Sequence, residues 1–252
     1  MPLPARATLL RTLVAGAAAL GLTAAGLAAV PAAAEPVSSA SVAPASVTPA
    51  RAPLEPVGPF RRTARHTFVW SVQPVTAARL GGSHRAGCPV PVADLRLVGL
   101  TSWGFDGRTH RGELVVHRDV ATDVVAVFRA LHAARFPVAR VVTAEQYGAD
   151  DDQLMAANAT SAFNCRQVTG GTGFSEHAYG RAIDVNPVQN PYVRGTTVEP
   201  PAGRDYLDRG NVRPAMIVAG DPVVAAFTAV GWGWGGNFTS LKDYQHFSQS
   251  GR

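Results

Sequence analysis

Two short stretches concentrate residues able to hold a metal ion and move a proton: Ser175-Glu176-His177-Ala178-Tyr179-Gly180-Arg181-Ala182-Ile183-Asp184-Val185 and Asp243-Tyr244-Gln245-His246-Phe247. His177 and Asp184 stand seven positions apart with Gly180 between them. They meet if the chain turns at the glycine and returns as a strand. In that strand Ala182 and Asp184 share one side, while Ile183 and Val185 point to the other and anchor it in a core. Alone this pair says little, because such a spacing arises by chance. The second stretch raises its weight. Asp243 and His246 have opposite parity on a flat strand, so both reach one site only if the turn before the strand supplies Asp243. Together the stretches offer two imidazoles, one ligating carboxylate and one spare carboxylate. Two histidines, one aspartate and a water make a four-coordinate zinc site with an open position, the arrangement of catalytic zinc. Such a metal lowers the pKa of its water and polarises a carbonyl. A neighbouring carboxylate then takes the water's proton and later hands it to a leaving amine.

With the Trp/Gly-rich run Gly231–Gly236 (GWGWGG) between them, the two stretches resemble the M15 peptidase family of D-alanyl-D-alanine carboxypeptidases and L-alanyl-D-glutamate endopeptidases. The resemblance covers roughly residues 110–248. It implies a hedgehog/DD-peptidase fold, a single catalytic Zn2+ and peptidoglycan stem peptides as the substrate. By that resemblance His177, Asp184 and His246 match the zinc ligands, and Asp243, three residues before the last ligand, matches the catalytic base. Many members carry Glu there; Asp occurs in the endopeptidase branch. The family also uses an arginine upstream of the first histidine to stabilise the developing oxyanion or hold the substrate carbonyl. Its usual Tyr-Arg-Ser-like setting is absent here, and Arg166 in Phe163-Asn164-Cys165-Arg166 is assigned the role, ahead of Arg140 and Arg181.

Other chemistries fit less well. Two histidines and a carboxylate also bind iron in non-haem oxygenases, but these need a reduced metal and leave Asp243 without a task. No G-x-S-x-G is present, and no serine has a distinctive setting. A zinc-containing cell-wall-binding module without peptidase activity is the remaining alternative. Glu176 adjoins a ligand and should point elsewhere. Ser175 and Tyr179 serve the turn as readily as a substrate, and His117 reads more readily as a core histidine than as a support for the site. Burial explains Trp232 and Trp234 as well as a cleft wall does. Asp150-Asp151-Asp152 lacks the interleaved spacing of a calcium loop and reads as a solvated loop or helix cap.

These groups need a scaffold, and the pattern predicts an α+β fold: an antiparallel sheet with flanking helices. Gly112–His117 and Ala139–Thr143 read as strands. Val120, Val124, Val127, Phe128 and Leu131 follow helical spacing, with Asp119 or Thr122 as cap and Pro137 as stop. Asp221 and Pro222 open a second helix that Gly231 ends. Gly170–Gly173 is a flexible approach to His177, and a last strand lies around Tyr244–Ser248.

Residues 1–34 read as a secretory signal peptide: Arg6 and Arg11 precede the apolar stretch Leu13–Val30 and the small residues Ala32-Ala33-Ala34. An uncleaved segment would be the one route to a membrane, since no later stretch is apolar enough to span one. Residues 35–60, rich in Pro, Ala and Ser, form a disordered linker, and 61–252 a single zinc peptidase domain. The expected location is secreted and cell-wall associated, as a monomer. Two cysteines in an exported chain suggest a Cys88–Cys165 disulfide, the alternative being two separate thiols. The formal net charge is +5 from 23 basic and 18 acidic residues; without Arg6 and Arg11 it is about +3. No Lys/Arg run accompanies it, so no nucleic-acid surface is expected.

Overall fold

The computed structural model describes residues 66–168 and 171–252. The signal segment, the linker, the first residues of the expected domain and Gly170 of the glycine-rich approach lie outside the described residues.

Three strands, β1 (Trp70–Pro74), β2 (Leu95–Trp103) and β3 (Thr109–His117), pair antiparallel in that order. The short helix α1 (Ala77–Leu80) follows β1. Alternation along β2 and β3 sorts their apolar residues to two faces. Val98, Leu100, Leu114 and Val116 join the main core, where α2 (Ala121–Ala133) lays down Val124, Val127, Phe128 and Leu131. Leu95 and Val115 face the opposite way, into a second cluster with Leu80, Phe163 and Cys165. The predicted helix is therefore present, but its start differs. A 3-10 turn over Arg118–Val120 precedes it, and neither Asp119 nor Thr122 caps it: the Asp119 carboxylate goes to Arg181 instead. The helix also stops at Ala133, ahead of Pro137.

The short helix α3 (Asp151–Ala156) is capped by Asp150, whose carboxylate accepts from the Gln153 N–H. The helix α4 (Pro222–Ala229) opens as its sequence predicts, with Asp221 accepting from Val223 and Val224 N–H groups. Gly231 follows it at φ +81°. Two more three-stranded sheets complete the chain. One has the order β4 (Ala182–Asp184), β9 (His246–Ser248), β7 (Gly233–Trp234); the other β6 (Thr197–Glu199), β5 (Tyr192–Arg194), β8 (Lys242–Asp243). Every strand pairing is antiparallel, and the α+β expectation holds.

Two strand expectations need correction. Ala139–Thr143 is not a strand: it makes only an isolated bridge, Val141 with Thr160. Its β-branched residues have no continuous neighbour to pair with. The final strand is shorter than Tyr244–Ser248, because Tyr244 and Gln245 form a turn between β8 and β9. Among the described residues no helix is long and apolar enough to cross a membrane. Cys88 and Cys165 are joined in a disulfide.

Candidate metal centre

Gly180 makes the first half of the site. A 3-10 turn over Glu176–Tyr179 is capped by Ser175 and closed by Gly180 at φ +66°, a conformation glycine adopts without strain. A Cβ there would lie 2.7 Å from the His117 backbone nitrogen, so the close approach also requires glycine. The chain returns as β4 with Ile183 and Val185 in the main core and Asp184 on the other side, as alternation demands.

The second half depends on a change of sheet. Asp243 ends β8, His246 begins β9, and the Tyr244–Gln245 turn carries the chain from one sheet to the other. Asp243 thus comes from the end of a separate strand before the turn. Three bonds pin that turn: Tyr244 N–H to Pro191 carbonyl at 3.3 Å, Val185 N–H to Gln245 carbonyl at 3.0 Å, and Trp234 Nε1–H to Tyr244 carbonyl at 2.9 Å. Trp232 and Trp234 are both core residues. Gly235 matters for contact: a Cβ there would meet the Asp243 carbonyl at 2.5 Å and its Cβ at 2.9 Å.

In register, Asp184 is the partner of His246. His177 Nε2 lies 3.1 Å from Asp184 Oδ2, His246 Nδ1 lies 3.1 Å from Asp184 Oδ1, and the two ring nitrogens are 3.3 Å apart. All three residues are buried, and one ligand atom from each lies within 4.8 Å of the others. The far side of each ring faces a main-chain oxygen that can only accept: His177 Nδ1 donates to the Ala162 carbonyl at 2.6 Å and His246 Nε2 to the Arg252 main-chain oxygen at 3.1 Å. Those nitrogens therefore carry the protons. As neutral rings, His177 Nε2 and His246 Nδ1 then present lone pairs to each other and to a carboxylate. Acceptors this close repel unless a cation or a proton lies among them. Histidines oriented from behind by main-chain oxygens, with lone pairs converging on a carboxylate, are a donor set that fits a divalent metal.

The charges agree. Burial alone would raise Asp184, yet His177 and His246 outweigh it and hold the carboxyl well below the usual carboxylate range. Burial opposes a charge on His246, but the hydrogen bond and charge of Asp184 push it up to about 9. For Asp243 burial dominates and raises it to about 6, with His246 opposing and Asp184 adding to the rise. The residue keeps some solvent contact, yet its Oδ1 is shut off from water and finds no hydrogen-bond partner among the described residues.

A segment of which the sequence singled out only Cys165 and Arg166 backs this centre. Ser161 exchanges both backbone bonds with Asp184, Ala162 orients His177, and Asn164 N–H donates to the His177 carbonyl at 3.2 Å. The same run ends at Arg166, whose Nη2 pairs with Asp151 Oδ2 at 2.9 Å, both side chains being half-buried. Asp151 feels the charges of Asp184 and His177 as well. The acidic run is thus a cap at Asp150 but part of the site's surroundings at Asp151. One turn on from Asp151, Met155 Sδ receives Gln245 Nε2 at 3.5 Å, a contact that no local sequence signal marks. Arg140 and Arg181 are engaged elsewhere, with Tyr147 and with Asp119. His117 caps the turn at Asp119 and is not brought to the cluster. A cavity of about 550 Å³ bordered by Trp70, Thr101, Arg111 and Gln146 is lined by none of the cluster residues.

An α+β domain with a buried His/Asp/His cluster and a spare carboxylate of raised proton affinity defines a candidate metallohydrolase. Comparison with known families is more specific: the family model described as D-alanyl-D-alanine carboxypeptidase matches residues 169–249, which supports an M15 peptidase. That span contains His177, Asp184, Asp243 and His246; Arg166 and Asp151 lie before it. No curated protein and no solved structure gives a match.

Proposed function

We propose that this chain is an exported zinc peptidase that hydrolyses a peptide bond in peptidoglycan stem peptides. The observation that carries the reading is the buried convergence of His177 Nε2, His246 Nδ1 and Asp184, with Asp243 beside it, inside the span that matches the carboxypeptidase family. These three residues would hold zinc, which when bound supplies Lewis acidity toward a carbonyl and lowers the pKa of water. Asp243 acts as the general base. Its raised proton affinity sits near neutrality, where a carboxylate can both accept and return a proton. It takes one proton from the attacking water as the oxygen adds to the carbonyl carbon. It returns that proton to the amine as the C–N bond breaks, giving an acid and an amine. Arg166 offers guanidinium N–H groups to the carbonyl oxygen as negative charge develops there.

Export is supported by the N-terminal sequence and by the disulfide, a bond that persists in oxidising compartments. The family description favours removal of a terminal D-alanine; Asp in place of Glu at position 243 favours the endopeptidase branch. Mass spectrometry of products from defined stem peptides separates the two. The test of the whole reading is metal content of the purified protein, then cleavage of muropeptides before and after chelation. Full chelation and His246→Ala should each abolish cleavage, and unchanged cleavage in either overturns the mechanism. Stoichiometric zinc with wall binding and no cleavage would mark a binding module instead.

A further inference from the structure

We propose that Asp151 is a positioning residue: it holds the Arg166 guanidinium beside the metal cluster and balances its charge there. This rests on the peptidase reading, in which Arg166 faces the substrate carbonyl.

The backbone around Arg166 is already fixed. Its N–H donates to the Asn164 carbonyl at 2.9 Å, its carbonyl accepts from Ser175 N–H at 3.1 Å, and the preceding residue is in the disulfide. The long side chain is held less firmly. Nη1 reaches the Gln167 carbonyl at 3.3 Å, and Nε is buried without a partner among the described residues. Among the described residues the ion pair with Asp151 at 2.9 Å is the one strong contact that sets where the guanidinium points. Asp151 is free to make it because Asp150 takes the capping duty at the start of α3.

Charge gives the second argument. A divalent cation and Arg166 bring three positive charges to one partly buried region. Asp184 and Asp243 supply two negative charges, and Asp151 supplies the third. Burial raises the proton affinity of the Asp151 carboxyl; Arg166 and His177 oppose the rise while Asp184 and Asp152 add to it, which places the carboxyl in the same field. Without it, Arg166 faces the dication with one positive charge uncompensated, and the side chain swings toward solvent.

The test uses the full zinc-loaded protein. Asp151→Asn should lower kcat on a stem peptide by about 10- to 100-fold with KM changed much less, as expected when an oriented transition-state contact is lost. Asp151→Glu should restore part of it. Arg166→Gln should cost at least as much, and adding Asp151→Asn to it should cost nothing further, because the two act as one unit. A readout independent of turnover is the Arg166 Nε–H resonance by ¹H–¹⁵N NMR, with and without zinc. It should be slow to exchange in the parent and in Asp151→Glu, and lost in Asp151→Asn. Additive costs, an unchanged kcat or an unchanged Arg166 resonance overturn the proposal. If the parent cleaves no stem peptide while the resonance still depends on Asp151, the ion pair stands and the peptidase reading is what fails.

Discussion

Burial raises the proton affinity of Asp243 from 3.8 to about 6, and its buried Oδ1 finds no hydrogen-bond partner among the described residues. Between those pH values the folded protein keeps a proton that the unfolded chain gives up. Stability therefore falls as pH rises through this window, and the deficit persists above about 6. Each pKa unit is worth about 1.4 kcal/mol; partial solvent contact reduces the total to about 1–2 kcal/mol. Asp243→Asn should therefore stabilise the metal-free protein by about that amount at pH 8 and by little near pH 4, while lowering kcat at least 100-fold. Thermal melts at the two pH values, paired with muropeptide kinetics, check both halves. His246 shows the opposite sign. Raised to about 9, it contributes stability to the metal-free fold that is complete below 6.5 and lost as pH rises through about 9. At neutral pH a metal must displace that proton, so zinc affinity should climb with pH up to about 9. Calorimetry in buffers of different ionisation enthalpy should show about one proton released per zinc at pH 7.

The Tyr244–Gln245 turn explains why an aspartate three residues before a histidine can share its site: the two residues belong to different sheets. Asp243 is held in place by contact with the Trp/Gly run, since Gly235 leaves room for its backbone. Gly235→Ala should push β8 outward and cut activity 10-fold or more while zinc content stays stoichiometric, because the atoms nearest the added Cβ belong to Asp243 and Phe238 and not to a ligand. Metal analysis beside kinetics tests this, and loss of both would show that β8 also supports the cluster. Much of this arrangement was legible in the chain. Ile183 and Val185 alternate with Asp184, Gly180 marks the turn, and Asp221-Pro222 marks a helix start; each is a local rule. In Ser161–Arg166 only Cys165 and Arg166 were legible; the backbone support that the segment gives the ligands was not. Its partners, Asp184, His177, Val115 and Ser83, lie far along the sequence, and its residues show neither helical nor strand periodicity. Ala139–Thr143 misled for the converse reason: β-branched composition promises a strand, but only a neighbour to pair with makes one.

The disulfide links the loop after α1 to the segment behind the metal centre, closing a separation of 77 residues. In the chain-entropy view a loop of this length stabilises the fold by roughly 4 kcal/mol. At about 2–4 °C per kcal/mol for a domain of this size, reduction should lower Tm by roughly 10–15 °C. Its neighbours decide what else changes. Cys165 is joined to Arg166 on one side and to Asn164, which bonds the His177 backbone, on the other. The ligand triad itself rests on the β4–β9 register and on the main-chain oxygens of Ala162 and Arg252, none of which passes through the sulfurs. Reduced protein, or Cys88→Ser paired with Cys165→Ser, should therefore bind zinc stoichiometrically below its lowered Tm. Its kcat should still fall, because the backbone that carries Arg166 has lost its anchor. Melting curves with and without reductant, zinc stoichiometry and stem-peptide kinetics on the same samples separate the two roles. A drop in Tm with unchanged kcat would confine the disulfide to stability. Loss of zinc together with Tm would show that the Ser161–Arg166 segment and the ligand triad unfold as one unit.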